Sequence, residues 1–147
     1  MNINRIKLLT TFCLLFLFAG NGFAKKLDLS ESKIACFEKN DKVILKSITV
    51  LQEETAKRSG ISLPAVKKWP RGEQVIIAVG TEGQTDRFPA EYREALSELP
   101  AIKAEGYKIA VFEKTKTVLV VGYDARGVLY GIGKLLRTME MRSGQIL

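Results

Sequence analysis

The stretch VVGYDARGVLYGIGKLLR, residues 120–137, decides how the C-terminal half of this chain folds. A β-branched run meets Asp124, whose carboxylate can accept hydrogen bonds from the free N–H groups of a helix start. The apolar residues that follow form one helical stripe, widened on one side: Val128, Leu129, Ile132, Leu135, Leu136 and Met139. The pattern predicts a strand that runs into an amphipathic helix, residues 125–141.

Glycines are unusually frequent in this predicted helix, although each costs about 1 kcal/mol relative to alanine. A phosphate site would explain them, but a dinucleotide turn needs G-x-G-x-x-G, and a P-loop needs Lys-Ser/Thr where Val128 and Leu129 stand. Asp124 would also repel a phosphate. Gly127 and Gly131 lie four residues apart and therefore share one helix face. The sequence predicts that this face packs closely on a sheet or a neighbouring domain.

A β-hairpin precedes the helix, because GYKIAVFEKTKTVLVVGYD alternates in hydropathy on both sides of a four-residue polar turn. The upstream predictions are a strand at KIACF, a helix at residues 41–59 capped by Asn40 or Asp41, a buried strand at QVIIAVG and a short helix at PAEYREALSEL. Residues 62–73, around Trp69, are predicted as a loop. The order β-α-β-α-β-β-α predicts an α+β domain, with helices packed on a small mixed sheet.

The first 24 residues have the pattern of a secretory signal peptide: a basic start at Arg5 and Lys7, an apolar run and small residues at its end. We expect cleavage before Lys25, a domain at 25–147, and an exported, periplasmic or extracellular protein. The alternative is an uncleaved anchor, but the apolar run of about a dozen residues is short of the roughly 20 that span a bilayer. No membrane partner is expected after cleavage.

Composition excludes several kinds of chemistry. The chain has no histidine, which removes Ser-His-Asp and Cys-His catalysis and argues against zinc. Only Cys36 follows the signal segment, so we expect a buried core thiol without an internal disulfide. The carboxylates are better explained as caps and solvated groups than as an acid/base pair. A net charge of +5 after cleavage is scattered over termini and turns, which argues against nucleic acid. We predict no catalytic residue, cofactor or metal.

Residues 105–137 resemble the non-catalytic N-terminal domain of family 20 β-N-acetylhexosaminidases, and a similar domain precedes the barrel of α-glucuronidases. The residues that carry this resemblance lie at the two ends of the stretch: Glu105, Tyr107, Asp124, Arg126, Gly127, Tyr130, Gly131 and Leu135. The resemblance implies a glycoside hydrolase accessory domain, without hydrolytic activity of its own. Its partner would be a catalytic (β/α)8 barrel, which this sequence does not contain.

The predicted docking residues are those of the motif at the helix start: Asp124, Arg126, Gly127, Tyr130 and Gly131. The glycines would allow close approach, and Arg126 would pair with a partner's carboxylate. The barrel could act in cis or in trans, so a truncated product and a stand-alone protein both remain open. The alternative function is a small stand-alone glycan-binding module of the cell envelope. Trp69 would then stack on a sugar, although it would serve equally well as a lid on the core.

Overall fold

The computed structural model describes residues 26–147 and shows an α+β fold with one five-stranded mixed sheet. The predicted signal peptide lies outside the described residues. The sheet contains β1 (Lys33–Cys36), β2 (Ala65–Val66), β3 (Ile76–Thr81), β4 (Tyr107–Phe112) and β5 (Thr117–Gly122). The helices are α1 (Lys42–Ser59), α2 (Ala90–Glu98) and α3 (Ala125–Thr138), with a 3₁₀ helix at Glu82–Arg87. A small hairpin, β6 (Met141–Arg142) and β7 (Gln145–Ile146), ends the described chain.

The strand order in the sheet is β2-β1-β3-β5-β4. The first four strands in this order are parallel, and β4 pairs antiparallel with β5, with Ile109 opposite Val120. The antiparallel pair is the predicted hairpin, so the mixed sheet is confirmed. Because β3 and β5 are interior strands, they bury both faces, which explains their continuous β-branched runs.

Helices cover both faces of the sheet. One core cluster joins α1 and α3 to the sheet through residues such as Leu51, Val120 and Ile132. The second cluster joins α2 to the opposite face and includes Tyr92 and Phe88. Alternate residues of each strand feed the two clusters because successive side chains point to opposite faces. The chain therefore forms three layers.

The helix boundaries follow the predicted caps. The Asp41 carboxylate accepts hydrogen bonds from the Val43 and Ile44 N–H groups at 2.8 and 3.1 Å. Gly60 ends α1 in the left-handed conformation, with φ 77°, which glycine adopts without a steric cost. Asp124 caps α3 as predicted. These local rules place the two long helices.

Tertiary contacts changed several predicted boundaries. The predicted loop contains β2, which pairs with β1, and the predicted turn after β3 is a 3₁₀ helix. Helix α3 ends at Thr138 rather than at 141, because Met139 is extended and the chain enters the β6–β7 hairpin. That hairpin was not predicted, and its Gly144 N–H donates to the Ser59 carbonyl at 2.8 Å. Leu129 does not widen the buried stripe: it is 39 % exposed.

Candidate functional site

The start of α3 is tied to the turn before β4 by the Asp124 carboxylate. This carboxylate accepts a hydrogen bond from the Gly127 N–H at 2.9 Å and one from the Glu105 N–H at 3.1 Å. The same two donors are the main reason why the pKa of Asp124 is lowered from its ordinary value. The backbone adds a further link, since the Tyr123 N–H donates to the Gly106 carbonyl at 2.9 Å. Residues 19 positions apart are thus held together by one side chain.

Arg126 completes this connection from the surface side. Its guanidinium contacts the Glu105 carboxylate, with Nη1 to Oε1 at 2.6 Å. The Glu105 carboxylate also raises the pKa of Arg126. The carboxylate that we expected from a partner is therefore supplied by this chain itself. Both side chains remain largely exposed to solvent, which screens the pair, so it adds little to stability.

The glycine face of α3 packs closely against the chain's own sheet and the turn before β4. A Cβ atom on Gly127 would lie 2.1 Å from the Gly106 carbonyl oxygen, and one on Gly131 would lie 2.7 Å from Val120 Cγ1. Both glycines are buried. The prediction of close packing on a sheet is met within the domain, whereas a docking role for these two buried glycines stays a prediction.

The outward side of α3 presents a different set of residues. Arg126 is exposed, and the apolar side chains beside it are unusually accessible: Tyr123 at 49 %, Tyr130 at 46 % and Leu129 at 39 %. We call these four residues the α3 surface. Aromatic residues and arginine are the types that protein interfaces enrich. Of the predicted docking residues, Arg126 and Tyr130 are exposed, and Asp124 is half-buried at the edge of this surface.

The carboxyl edge of the parallel strands, where α/β sheets commonly bind ligands, is filled by carboxylates of the chain. Glu38 follows β1, and its carboxylate accepts hydrogen bonds from the Lys39, Asn40 and Asp41 N–H groups. These donors lower the pKa of Glu38 to about 2. Asp41 and Asp124 occupy the helix starts at the same edge. The N–H groups that would cradle a phosphate are already bonded, which agrees with the sequence argument against a phosphate loop.

Trp69 follows the carboxyl end of β2 and is half-buried. Its ring centroid is 5.1 Å from that of Tyr92 and 6.0 Å from that of Phe88, so it packs against the second core cluster. This packing favours a lid on the core.

Two concave regions lie near the N-terminal end of the described chain. The first, a cleft of about 690 Å³, has mixed polar and apolar walls: Lys26, Leu27, Asp28, Ser30, Glu31, Val75, Glu113, Lys114, Lys116, Gly144 and Gln145. The second, an apolar groove of about 410 Å³, lies between β4 and α3 and includes Ile109, Val111, Leu135 and Met139. We call them the polar cleft and the apolar groove. Neither region is predicted from the sequence, because segments far apart in the chain form each of them.

Several classes of site lack support among residues 26–147. This part of the chain has no group of three or more His, Cys, Asp or Glu residues placed to hold a metal ion. Within the same residues, no helix combines the length and the hydropathy that crossing a membrane would require. Cys36 is buried as predicted, and its burial raises the pKa of the thiol. A buried, protonated thiol is a poor nucleophile.

Comparison with known proteins found one matching family and a similar solved structure. The sequence profile of the family described as Glycosyl hydrolase family 67 N-terminus matches residues 25–135. A search of curated proteins found no match. Among solved structures, a family GH115 4-O-methyl-α-glucuronidase with specificity for decorated arabinogalactans is similar, with 25 % identity and a TM-score of 0.55. The similarity covers 73 % of this chain and 13 % of that one.

Proposed function

The chain belongs to the Glycosyl hydrolase family 67 N-terminus family, and we propose that it supports carbohydrate degradation by docking onto a glycoside hydrolase catalytic barrel. The observation that carries this proposal is the family match over residues 25–135. The solved relative supports it, because the region similar to this chain is a small part of a much longer enzyme. In that arrangement the catalytic partner is in cis; a partner in trans is the other form of the proposal.

The catalytic partner that we propose is of the α-glucuronidase type. Both the family match and the solved relative point to families 67 and 115, and the family 20 hexosaminidase part of the sequence prediction is not confirmed. The motif that suggested family 20 has a structural role within the domain, because Asp124 and Arg126 link α3 to the turn at Glu105. These residues therefore indicate which fold the chain adopts, and they do not indicate a substrate.

We place the docking surface on the α3 surface and the adjoining apolar groove. Helix α3 contributes to both, since Leu135 lines the groove while Leu129 and Tyr130 are exposed, and Met139, directly after the helix, also lines the groove. Val111, at the groove, is 56 % exposed. Burying such side chains against a partner gains about 25 cal/mol for each Å² of apolar area removed from water. Exposed apolar and aromatic side chains of this kind fit the wall of a second folded domain.

The test measures binding of the chain to the catalytic region of a family 67 or family 115 α-glucuronidase by biolayer interferometry. We expect Tyr130→Ser to weaken binding at least ten-fold, because it removes an exposed aromatic from the proposed interface. Arg126→Ala and Arg93→Ala form a matched pair of exposed arginines, the second on α2 in the opposite layer. Arg126→Ala should weaken binding and Arg93→Ala should not. Equal effects of the two arginine variants would contradict the proposed surface.

A hexosaminidase catalytic region serves as the control for partner type. Tighter binding to this control than to the α-glucuronidase region would show that the catalytic partner is of the family 20 type. The other candidate function, a stand-alone glycan-binding module that uses Trp69, has weaker support because the ring packs on Phe88 and Tyr92. Loss of glycan binding in Trp69→Phe with full thermal stability would favour that function instead.

Export is a separate part of the proposal. The signal-like composition of residues 1–24 supports it, as does a family match that begins at Lys25, directly after the predicted cleavage site. N-terminal sequencing of the protein recovered from the periplasm or medium should start at Lys25. Recovery of the chain in the cytoplasm with its first residues intact would refute both export and cleavage.

A further inference from the structure

The polar cleft is built from four separate segments that are fixed against one another. The N-terminal segment is held by the Leu29 N–H, which donates to the Ile146 carbonyl at 2.8 Å, and by Ser30 Oγ, which accepts from the Ile146 N–H at 3.0 Å. The β4–β5 turn is held by the Lys116 carbonyl, which accepts from the Ile76 N–H at 3.0 Å. The walls are therefore largely preorganised, which lowers the cost of binding a ligand.

Charge is distributed unevenly over these walls. The hairpin-turn wall carries Lys114 and Lys116, and neither lysine belongs to an ion pair formed among residues 26–147. Asp28 and Glu31 come from the N-terminal segment, whereas the lysine of that segment, Lys26, is paired with Glu140 outside the cleft. Glu113 lies in the same turn as Lys114 and Lys116. The lining as a whole is balanced, with three lysines and three carboxylates.

Lys116 adopts a backbone conformation that its side chain disfavours. Its φ is 51°, in the left-handed region where glycine or asparagine is the usual choice. The turn needs this conformation, because the Lys116 N–H donates a hydrogen bond to the Glu113 carbonyl at 3.2 Å and the chain then enters β5. Glycine would satisfy the turn with less strain, so the turn by itself does not select a lysine at this position.

We propose that the polar cleft binds an acidic sugar, with the carboxylate of a uronate residue held by Lys114 and Lys116. The choice of a uronate rests on the proposed α-glucuronidase association. Asp28 and Glu31 would accept hydrogen bonds from sugar hydroxyls, and Gln145 can both donate and accept. Leu27 and Val75 supply apolar contact for the carbon face of the ring. The cleft volume of about 690 Å³ lies within the usual range for small-molecule sites.

The test is an NMR titration of the full chain with methyl α-D-glucuronide, with methyl α-D-glucoside as the neutral control. We expect shifts in the cleft residues with the glucuronide and at least five-fold weaker binding of the glucoside. Binding should weaken as salt is added, because the contact is between opposite charges. Equal affinity for the two sugars would overturn the proposal, as would the absence of any glucuronide binding at millimolar concentrations.

The Lys116→Gly variant distinguishes an effect on glucuronide binding from an effect on protein stability. This variant should raise the melting temperature by removing the strain, yet weaken glucuronide binding at least five-fold. Lys114→Gln should also weaken binding, whereas the matched control Lys67→Gln, on the loop that follows β2, should leave it unchanged. Unchanged affinity in Lys116→Gly would overturn the assignment of this lysine. No catalytic region is present in this experiment, so its outcome is independent of the docking test.

Discussion

Replacing Gly127 by alanine tests the reasoning about the α3 glycines most directly. The added Cβ would lie 2.1 Å from the Gly106 carbonyl oxygen and 3.1 Å from the Gly122 Cα atom. Both neighbours are backbone, so no side-chain rotation can relieve the contact. The first turn of α3 must instead move away from the turn before β4. That movement stretches the hydrogen bonds from the Gly127 and Glu105 N–H groups to the Asp124 carboxylate.

The magnitude follows from three contributions. Overpacking in a tight interior contact costs about 1–3 kcal/mol. Weakening the Asp124 cap costs about 1 kcal/mol more. The higher helix propensity of alanine offsets about 1 kcal/mol of this loss in the free energy of unfolding. The free energy of unfolding should therefore fall by about 1–3 kcal/mol.

Gly133→Ala is the matched control within the same helix. A Cβ atom at this position would contact Arg137 Nη1 at 3.4 Å, the end of a flexible side chain, so the substitution meets little resistance. It should raise the free energy of unfolding by about 0.5–1 kcal/mol, through helix propensity. Urea denaturation, followed by far-UV circular dichroism and by Trp69 fluorescence, measures both variants. A Gly127→Ala protein as stable as the parent would refute the close-approach argument, and so would equal changes in the two variants.

Three further predictions concern single groups. The folded-state pKa of Glu38, about 2, lies below its ordinary value, so its stabilisation is present at neutral pH and is lost as the pH falls from about 4.5 to about 2. Glu38→Gln should accordingly lower the urea midpoint at pH 7, with the difference closing below pH about 2; a constant difference would contradict this. The Cys36 thiol should react with Ellman's reagent only after unfolding, and rapid reaction of the native protein would show that it is accessible. Arg126→Ala should leave the urea midpoint close to that of the parent, because solvent screens the pair with Glu105, and a clear drop would mean that this pair supports the fold.

Local sequence signals predicted much of the fold for identifiable reasons. Asp41 and Gly60 bound α1 because a cap and a left-handed stop act through neighbouring backbone groups. The β4–β5 hairpin was visible because alternation and a polar turn are also local. Strand β2 and the β6–β7 hairpin were not predicted, because each of these strands is only two residues long. Their positions also depend on contacts with residues distant in the chain.

The candidate sites were less accessible to sequence reasoning. The motif at the start of α3 was identified correctly as a distinctive feature, but its glycines turned out to be buried and its arginine to pair with Glu105. A sequence pattern shows which residues share a helix face; it does not show whether that face meets the chain's own sheet or a partner. The polar cleft offered no pattern at all, because the segments that line it are distant from one another in the chain.

The sequence by itself determined the α+β class, the capped helices, the hairpin and the exclusion of histidine-dependent chemistry, since each depends on composition or on short-range periodicity. The tertiary structure decided which surfaces are left for function. It turned the Gly127 face inward and left Tyr130 outward, and it brought Asp28 and Lys116 to the same cleft. The physical reason is that burial and charge proximity are properties of packed neighbours, and these neighbours are set by the long-range pairing of the sheet.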